Sequence, residues 1–156
     1  YSARRRIVLT TPYFIPDVAL VQALETAVIR GVEVNLILSR SSDSLLVGLA
    51  QRSYYEQMLR AGITIYLYRD GLLHGKHIMI DEAISVIGST NIDIRSFQLN
   101  AEASLIIYDE KVANMLDVEQ DKNISGSDRL TLENWDHRPR PVKLVENIAR
   151  LVSPLL

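Results

Sequence analysis

Cysteine is absent from the 156 residues. No disulfide and no thiolate metal site can form, and no redox compartment can be read. Histidine is scarce, with only His74, His77 and His137. No run approaches the roughly 18 apolar residues of a membrane-crossing helix. No stretch at the start has the make-up of a signal peptide. A basic excess is missing too. Seventeen Lys and Arg against nineteen Asp and Glu leave a net charge of −2. Nucleic-acid binders usually carry a basic surplus, so the balance weighs against nucleic acid as a partner.

What is present fits a globular domain. Apolar residues make up 47% and charged residues 23%, ordinary values for such a chain. The length suits one domain with a sizeable core, expected to span 1–156. The opening is unusual. Tyr1 is not an initiator, and Arg4-Arg5-Arg6 lead straight into Ile7-Val8-Leu9. That start reads as the inside of a longer polypeptide, with membrane anchors or a second domain expected upstream.

The periodicity predicts a strand at 6–10 and a helix over 18–30 behind an Asp17 N-cap. Leu20, Leu24, Ala27 and Val28 share one face of that helix, and Gly31 stops it. A strand follows at 32–38, a helix at about 44–60, and an alternating strand at 63–67. Helix-then-strand occurs twice, which marks parallel βαβ units. Residues 77–81 and 84–88 read as a hairpin, 101–108 as a strand and 110–118 as a helix. A polar stretch at about 120–141 reads as a loop or arm. Residues 142–152 place Leu144, Val145, Ile148, Leu151 and Val152 on one helical face. That helix, with Leu155 and Leu156 adding apolar surface, reads as packing against the domain rather than lying at a membrane interface, since Lys143 and Arg150 are few for the latter. The fold class is α/β, a mixed β-sheet flanked by helices on both faces.

The chemistry concentrates in residues 74–102. His74 and Lys76 are two apart at the expected start of a strand, so alternation points both side chains the same way. Gly88-Ser89-Thr90-Asn91 ends the next strand. Hairpin pairing returns Ser89 and Asn91 to His74 and Lys76, and Glu102 can reach the same edge. The residue types suit phosphoryl transfer. An imidazole can attack phosphorus or protonate a leaving oxygen near neutral pH. An ammonium offsets charge on the non-bridging oxygens, and amide and hydroxyl groups donate to the same oxygens. A carboxylate can fix an imidazole tautomer, a role for which Glu102 competes with an ion pair to Arg95. Asp81, beside Glu82 at the strand end, reads as a cap of the hairpin turn. His77 faces away from His74, and His137 reads as a surface residue. Arg95 and Ser96 read as lining of a head-group pocket or as a loop held by Arg95 to Asp93 or Glu102. Tyr13 and Phe14 read equally as cleft lining or core. No metal and no cofactor is called for, since clustered carboxylates or several histidines are lacking.

These residues resemble the phospholipase D superfamily, whose pattern is H-x-K-x4-D followed by G-S/T-x-N. His74, Lys76, Asp81, Gly88, Ser89 and Asn91 match every position. The resemblance implies one phospholipase D-like lobe, with His74, Lys76 and Asp81 in the catalytic motif. Ser89, Asn91, Glu102 and Arg95 would then serve substrate and phosphate. It further implies a phosphohistidine intermediate and a second histidine from another copy of the motif. That copy would lie in an upstream lobe of the same polypeptide or in a second copy of the chain. Within the superfamily, TPYFIPD (11–17), LHGKHIMID (73–81), GSTNIDIRSFQLNAE (88–102) and SPLL (153–156) are similar to the C-terminal catalytic half of the bacterial cardiolipin synthases. The implied activity is phosphatidyl transfer between two phosphatidylglycerol molecules with release of glycerol. The implied setting is a membrane surface bearing phosphatidylglycerol and other phospholipid head groups. The longer enzyme would be anchored in the cell membrane and this chain would itself be soluble. The alternatives are a superfamily phosphodiesterase or nuclease that dimerises, and a catalytically incomplete lipid-binding half.

Overall fold

Successive residues of an extended chain face opposite sides. Ile7, Val8 and Leu9 are all apolar, so the strand they form must be covered on both faces. The computed structural model, which describes residues 1–152, covers it in that way. Its elements are β1 (Arg6–Thr11), β2 (Phe14–Ile15), α1 (Val18–Ile29), β3 (Glu33–Ser39), α2 (Leu45–Arg60), β4 (Thr64–Tyr68), β5 (His77–Ile80), β6 (Ile84–Gly88), β7 (Ile92–Asp93), α3 (Ile94–Gln98), β8 (Ser104–Tyr108), α4 (Glu110–Ser125), β9 (Ser127–Leu130), α5 (Leu132–Asp136) and α6 (Arg140–Val152).

Seven strands form a mixed sheet in the order β8-β6-β5-β1-β3-β4-β9, and β2 pairs with β7 in a small second sheet. The centre, β1-β3-β4, is parallel, and the two βαβ units supply it. β5, β6, β8 and β9 join antiparallel. Ile7, Leu9, Leu36 and Ile65 pack with Leu24, Ala27 and Met58 of α1 and α2. Val8, Ile37 and Met79 pack the other way, onto Ala113 and Leu116 of α4. Each fully buried Leu or Ile contributes about 1.5–3 kcal/mol through removal from water. The helices start where the sequence provides caps: Asp17 Oδ1 accepts from Leu20 N at 2.8 Å, and Asp109 Oδ1 from Lys111 N at 2.8 Å.

The expected polar arm is instead built into the fold. α4 continues to Ser125, β9 pairs with β4 in the register Ile65↔Leu130, and α5 follows. Trp135 seats its ring 5.1 Å from that of Tyr55. An edge strand needs an apolar residue only on its covered side, so Leu130 and Trp135 suffice where composition alone suggests a loop. The strand expected from 101 begins at Ser104, because the Ala103 amide and carbonyl are taken by Ser89.

α6 lies against α2 the opposite way round from expectation. Its polar side is buried: Glu146 is 2% exposed and takes an ion pair from Arg138. Lys143 Nζ lies 3.3 Å from Asp136 Oδ1, and the Arg150 guanidinium sits 4.1 Å over the Tyr54 ring. Its apolar stripe faces out, with Leu144, Ile148 and Leu151 exposed by 61%, 54% and 80%. The cause is the outer surface of α2, which offers Glu56 and Gln57 and so selects the charged side of α6. Leu155 and Leu156 lie outside the described residues. Among those described, no helix is long and apolar enough to cross a membrane.

Candidate active site

β5 begins only at His77, so His74 and Lys76 occupy the extended segment just before it. The hairpin ladder nevertheless continues to them, since Gly88 N donates to Lys76 O at 3.1 Å. Lys76 Nζ lies 3.1 Å from His74 Nε2 and also donates to His74 O at 3.1 Å. An ammonium can only donate. With Lys76 charged, His74 Nε2 is the acceptor of this contact. Burial pushes the Lys76 pKa below the ordinary lysine value, with the Glu102 carboxylate acting against that shift. His74 and Ser89 are exposed and Lys76 is half-buried. The cluster thus forms one open wall.

Ser89 fixes the other side. Its main-chain N–H donates to Ala103 O at 3.0 Å, and its Oγ accepts from Ala103 N at 3.1 Å. The same hydroxyl donates to Glu102 Oε2. Asn100 Nδ2 donates to Glu102 Oε1 at 3.4 Å. Glu102 therefore meets neither a histidine of this chain nor Arg95, the two partners weighed for it. Gly88 is obligatory by space: a Cβ there would run into Ala103 O and come within 2.8 Å of Ser104 Cα. Asn91 lies between β6 and β7, with Oδ1 buried and unpaired. Thr11 ties this loop to the end of β1, accepting from Ile92 N at 3.3 Å and donating to Tyr13 O at 2.8 Å. Nothing in the sequence pattern marks Thr11 for that task.

Asp81 does not join this cluster, which corrects its placement in the catalytic motif. It sits at the far end of β5, in a turn where Asp81 and Glu82 have φ of 53° and 56°. Its carboxylate accepts from the backbone amides of Arg4, Arg5 and Arg6 at 2.8, 2.8 and 2.9 Å. The motif aspartate thus clamps the start of β1 to the hairpin. The Arg4–Arg6 run serves the same clamp through its amides. These backbone hydrogen bonds hold the Asp81 carboxyl below its ordinary value, although burial acts the other way. A group with a depressed folded-state pKa stabilises fully above its unfolded value, about 3.9 for Asp. The contribution fades as pH falls through the lower folded value. Asp81→Ala is expected to cost about 2 kcal/mol or more at neutral pH, from hydrogen bonds to a charged acceptor. Urea midpoints across a pH series check it. The gap between wild type and Asp81→Asn should shrink below about pH 4, and a constant gap would contradict the clamp.

His77 is the first residue of β5. Its Nε2 is buried without a partner, and burial pushes its pKa down while Glu119 acts in the opposite direction. His137 is exposed at the end of α5, its Nδ1 2.6 Å from Glu133 O. Phe14 is core, with no exposed surface, and Tyr13 lines a cavity with Asn91 and Arg95.

Residues 1–123 match the family described as cardiolipin synthase, PLD-like domain. This chain belongs to that family. Cardiolipin synthase A of Proteus mirabilis is 44% identical over 156 residues, which is all of this chain and 32% of that protein. Cardiolipin synthase 1 of Staphylococcus epidermidis is 44% identical over 155 residues, 99% of this chain and again 32% of that protein. The PLD-like domain described here therefore spans about a third of the length of these relatives. The fold recurs in solved structures. Nuc from Salmonella typhimurium, a phospholipase D family member, superposes with a TM-score of 0.74 at 20% identity, over 83% of this chain and 84% of that one. Phosphatidylserine synthase from Haemophilus influenzae superposes with a TM-score of 0.75 at 21% identity, over 99% of this chain and 42% of that one.

Proposed function

We propose that this PLD-like domain supplies one histidine of a two-histidine centre that transfers a phosphatidyl group between phosphatidylglycerol molecules and releases glycerol. The observation that carries the reading is His74 on an exposed wall, its Nε2 3.1 Å from Lys76 Nζ. Neither other histidine completes the site, since His77 Nε2 is buried and His137 sits on α5. The second histidine comes from the upstream lobe of a longer polypeptide or from a second copy. Glu102, with no histidine of its own chain, is positioned to orient that incoming ring.

In the first step the nucleophilic imidazole nitrogen attacks phosphorus and forms a P–N bond. The P–O bond to the glycerol breaks, and the leaving oxygen takes a proton from the other histidine. In the second step the hydroxyl of another phosphatidylglycerol gives its proton to that histidine and attacks phosphorus, and the P–N bond breaks. Lys76 and the Asn91 amide nitrogen stabilise the phosphoryl oxygens as charge builds on them.

A substrate held in a bilayer requires the site to work at its surface. The outward stripe of α6 suits that setting: Leu144, Val145, Ile148, Leu151 and Val152 are all aliphatic and exposed. An apolar helix face of this kind rests in the head-group boundary. The longer enzyme is accordingly placed at the cell membrane, with phospholipid head groups as partners and no nucleic acid.

The test uses the full-length polypeptide and phosphatidylglycerol labelled in the glycerol head. Cardiolipin and free labelled glycerol in equal amounts are expected. Phosphatidic acid without cardiolipin would make it a phosphodiesterase, and cleavage of nucleic acid alone would remove the lipid reading.

A further inference from the structure

Directly beside Lys76 a cavity of about 170 Å³ opens between the β5-β6 hairpin, β8 and α3. Ile78, Val86 and Phe97 give it apolar walls, and Thr90 and Ser104 add two hydroxyls. None of these side chains is closed off. Phe97 is 40% exposed, Ser104 is exposed, and Lys76, Ile78, Val86 and Thr90 are half-buried. Among the described residues no carboxylate lines the space, so the Lys76 ammonium sets its charge. Ile78 is the register partner of Val86, and Val86 in turn lies opposite Ile106, which is 59% exposed. The apolar surface therefore continues out of the cavity toward β8, the free edge of the sheet. An open apolar cavity with a few convergent polar groups is the usual form of a ligand site. The hydroxyls narrow the choice. Thr90 Oγ1 and Ser104 Oγ lie 3.2 Å apart, and the hydrogen bond between them uses one of their two protons. The other proton is left to donate to an oxygen that only accepts, such as an ester carbonyl. At roughly 30 Å³ per water-sized group, the space holds about five or six heavy atoms, enough for two glyceryl carbons and one ester group.

We propose that this cavity seats the diacylglycerol end of the phosphatidyl group, its glyceryl carbons and one ester, while the phosphate stays at Lys76. The inference rests on the phosphatidyl-transfer reading above and adds which way round the lipid lies. The occupant follows from the lining. An ammonium, a hydroxyl donor and an apolar wall meet in one space, and a phosphate, an ester and an acyl chain follow one another in a glycerophospholipid. The glycerol head group fits the space poorly, because its free hydroxyls would lose water against Ile78, Val86 and Phe97. It is therefore left on the open side of the wall, where the other histidine can protonate it. The acyl chain leaves the cavity past Phe97 and Ile106. Phe97 and Val86 thus become residues that set specificity for an acylated diester.

The experiment compares two diesters in the full-length enzyme. One is dihexanoyl phosphatidylglycerol, supplied as dispersed monomers so that no bilayer takes part. The other is glycerophosphoglycerol, the same diester without acyl arms. Release of labelled glycerol reads both, and the ratio of the two kcat/KM values is the preference for the acylated substrate. Val86→Phe, which fills the cavity, is expected to lower that ratio about tenfold or more. Phe97→Ala strips one wall and should lower it about fivefold. Phe97 is partly exposed, so this variant keeps its fold and decides the matter if Val86→Phe does not fold. An unchanged ratio in a folded variant overturns the assignment. Where both rates fall together, the surface is a contact of the second lobe and not a lipid seat. Wild-type enzyme that releases glycerol from neither diester would instead remove the phosphatidyl-transfer reading on which the inference stands.

Discussion

His74→Ala in the full-length polypeptide is expected to lower turnover at least ~10³-fold, about 4 kcal/mol of barrier. The size follows from the position of the group. His74 carries the exposed imidazole of the wall, with Lys76 Nζ 3.1 Å from its Nε2. Neither His77, with its buried Nε2, nor the distant His137 can substitute. The fold should be indifferent, because His74 is exposed and lies outside β5. An unchanged melting curve therefore accompanies the loss. The same variant separates the two roles a histidine can play. Loss of the nucleophile removes every trace of phosphoprotein after rapid quenching. Loss of the acid and base lets the covalent species accumulate from a substrate with a good leaving group, because its hydrolysis stalls. Activity within about tenfold of wild type, a change of only ~1.4 kcal/mol, would end the catalytic assignment of His74.

The grouping of the candidate site residues was legible because strand alternation and hairpin pairing bring restricted residue types into register. His74 and Lys76 touch, and Ser89 reaches Glu102, as spacing alone suggests. Asp81 shows where a motif position misleads. A pattern records that an aspartate is needed, and its three backbone amide partners sit 75 to 77 residues away. No local signal carries such a contact. Glu102 shows a different gap, since its spacing brings it to this edge without telling that Ser89 and Asn100 are its partners. The segment 120–141 hid a strand because β9 needs little more than Leu130 to be half-covered. Ser96 was weighed as pocket lining, and spacing alone does not show that its amide caps onto Asp93 Oδ1 at the start of α3. In α6 the stripe was visible at helical spacing. Which side meets the domain is decided by α2, through Glu56 and Gln57.

That reversal of α6 carries the second large effect. Leu144→Gln, Ile148→Gln and Leu151→Gln together are expected to weaken binding of the chain to phospholipid vesicles about 100-fold. Full burial of such side chains yields about 1.5–3 kcal/mol each. Partial immersion at the head-group boundary leaves ~1 kcal/mol each, so three remove ~3 kcal/mol, or two orders of magnitude. Stability should not fall, because all three side chains already face solvent. The packing of α6 rests on Glu146, Lys143 and Arg150 instead. Salt discriminates further. On α6, Lys143 pairs with Asp136 and the Arg150 guanidinium lies over Tyr54, which leaves Arg140 as the exposed basic residue at its start. Binding driven by apolar burial should therefore survive 0.5 M salt (an approximate choice, about 4 Å of screening length) and occur on neutral vesicles as well. Flotation of wild type and triple variant with both vesicle types reads this directly. Equal flotation of the two proteins would mean that the stripe of α6 meets something other than lipid, and loss of a protein–protein contact in the longer enzyme would identify the other lobe as its cover.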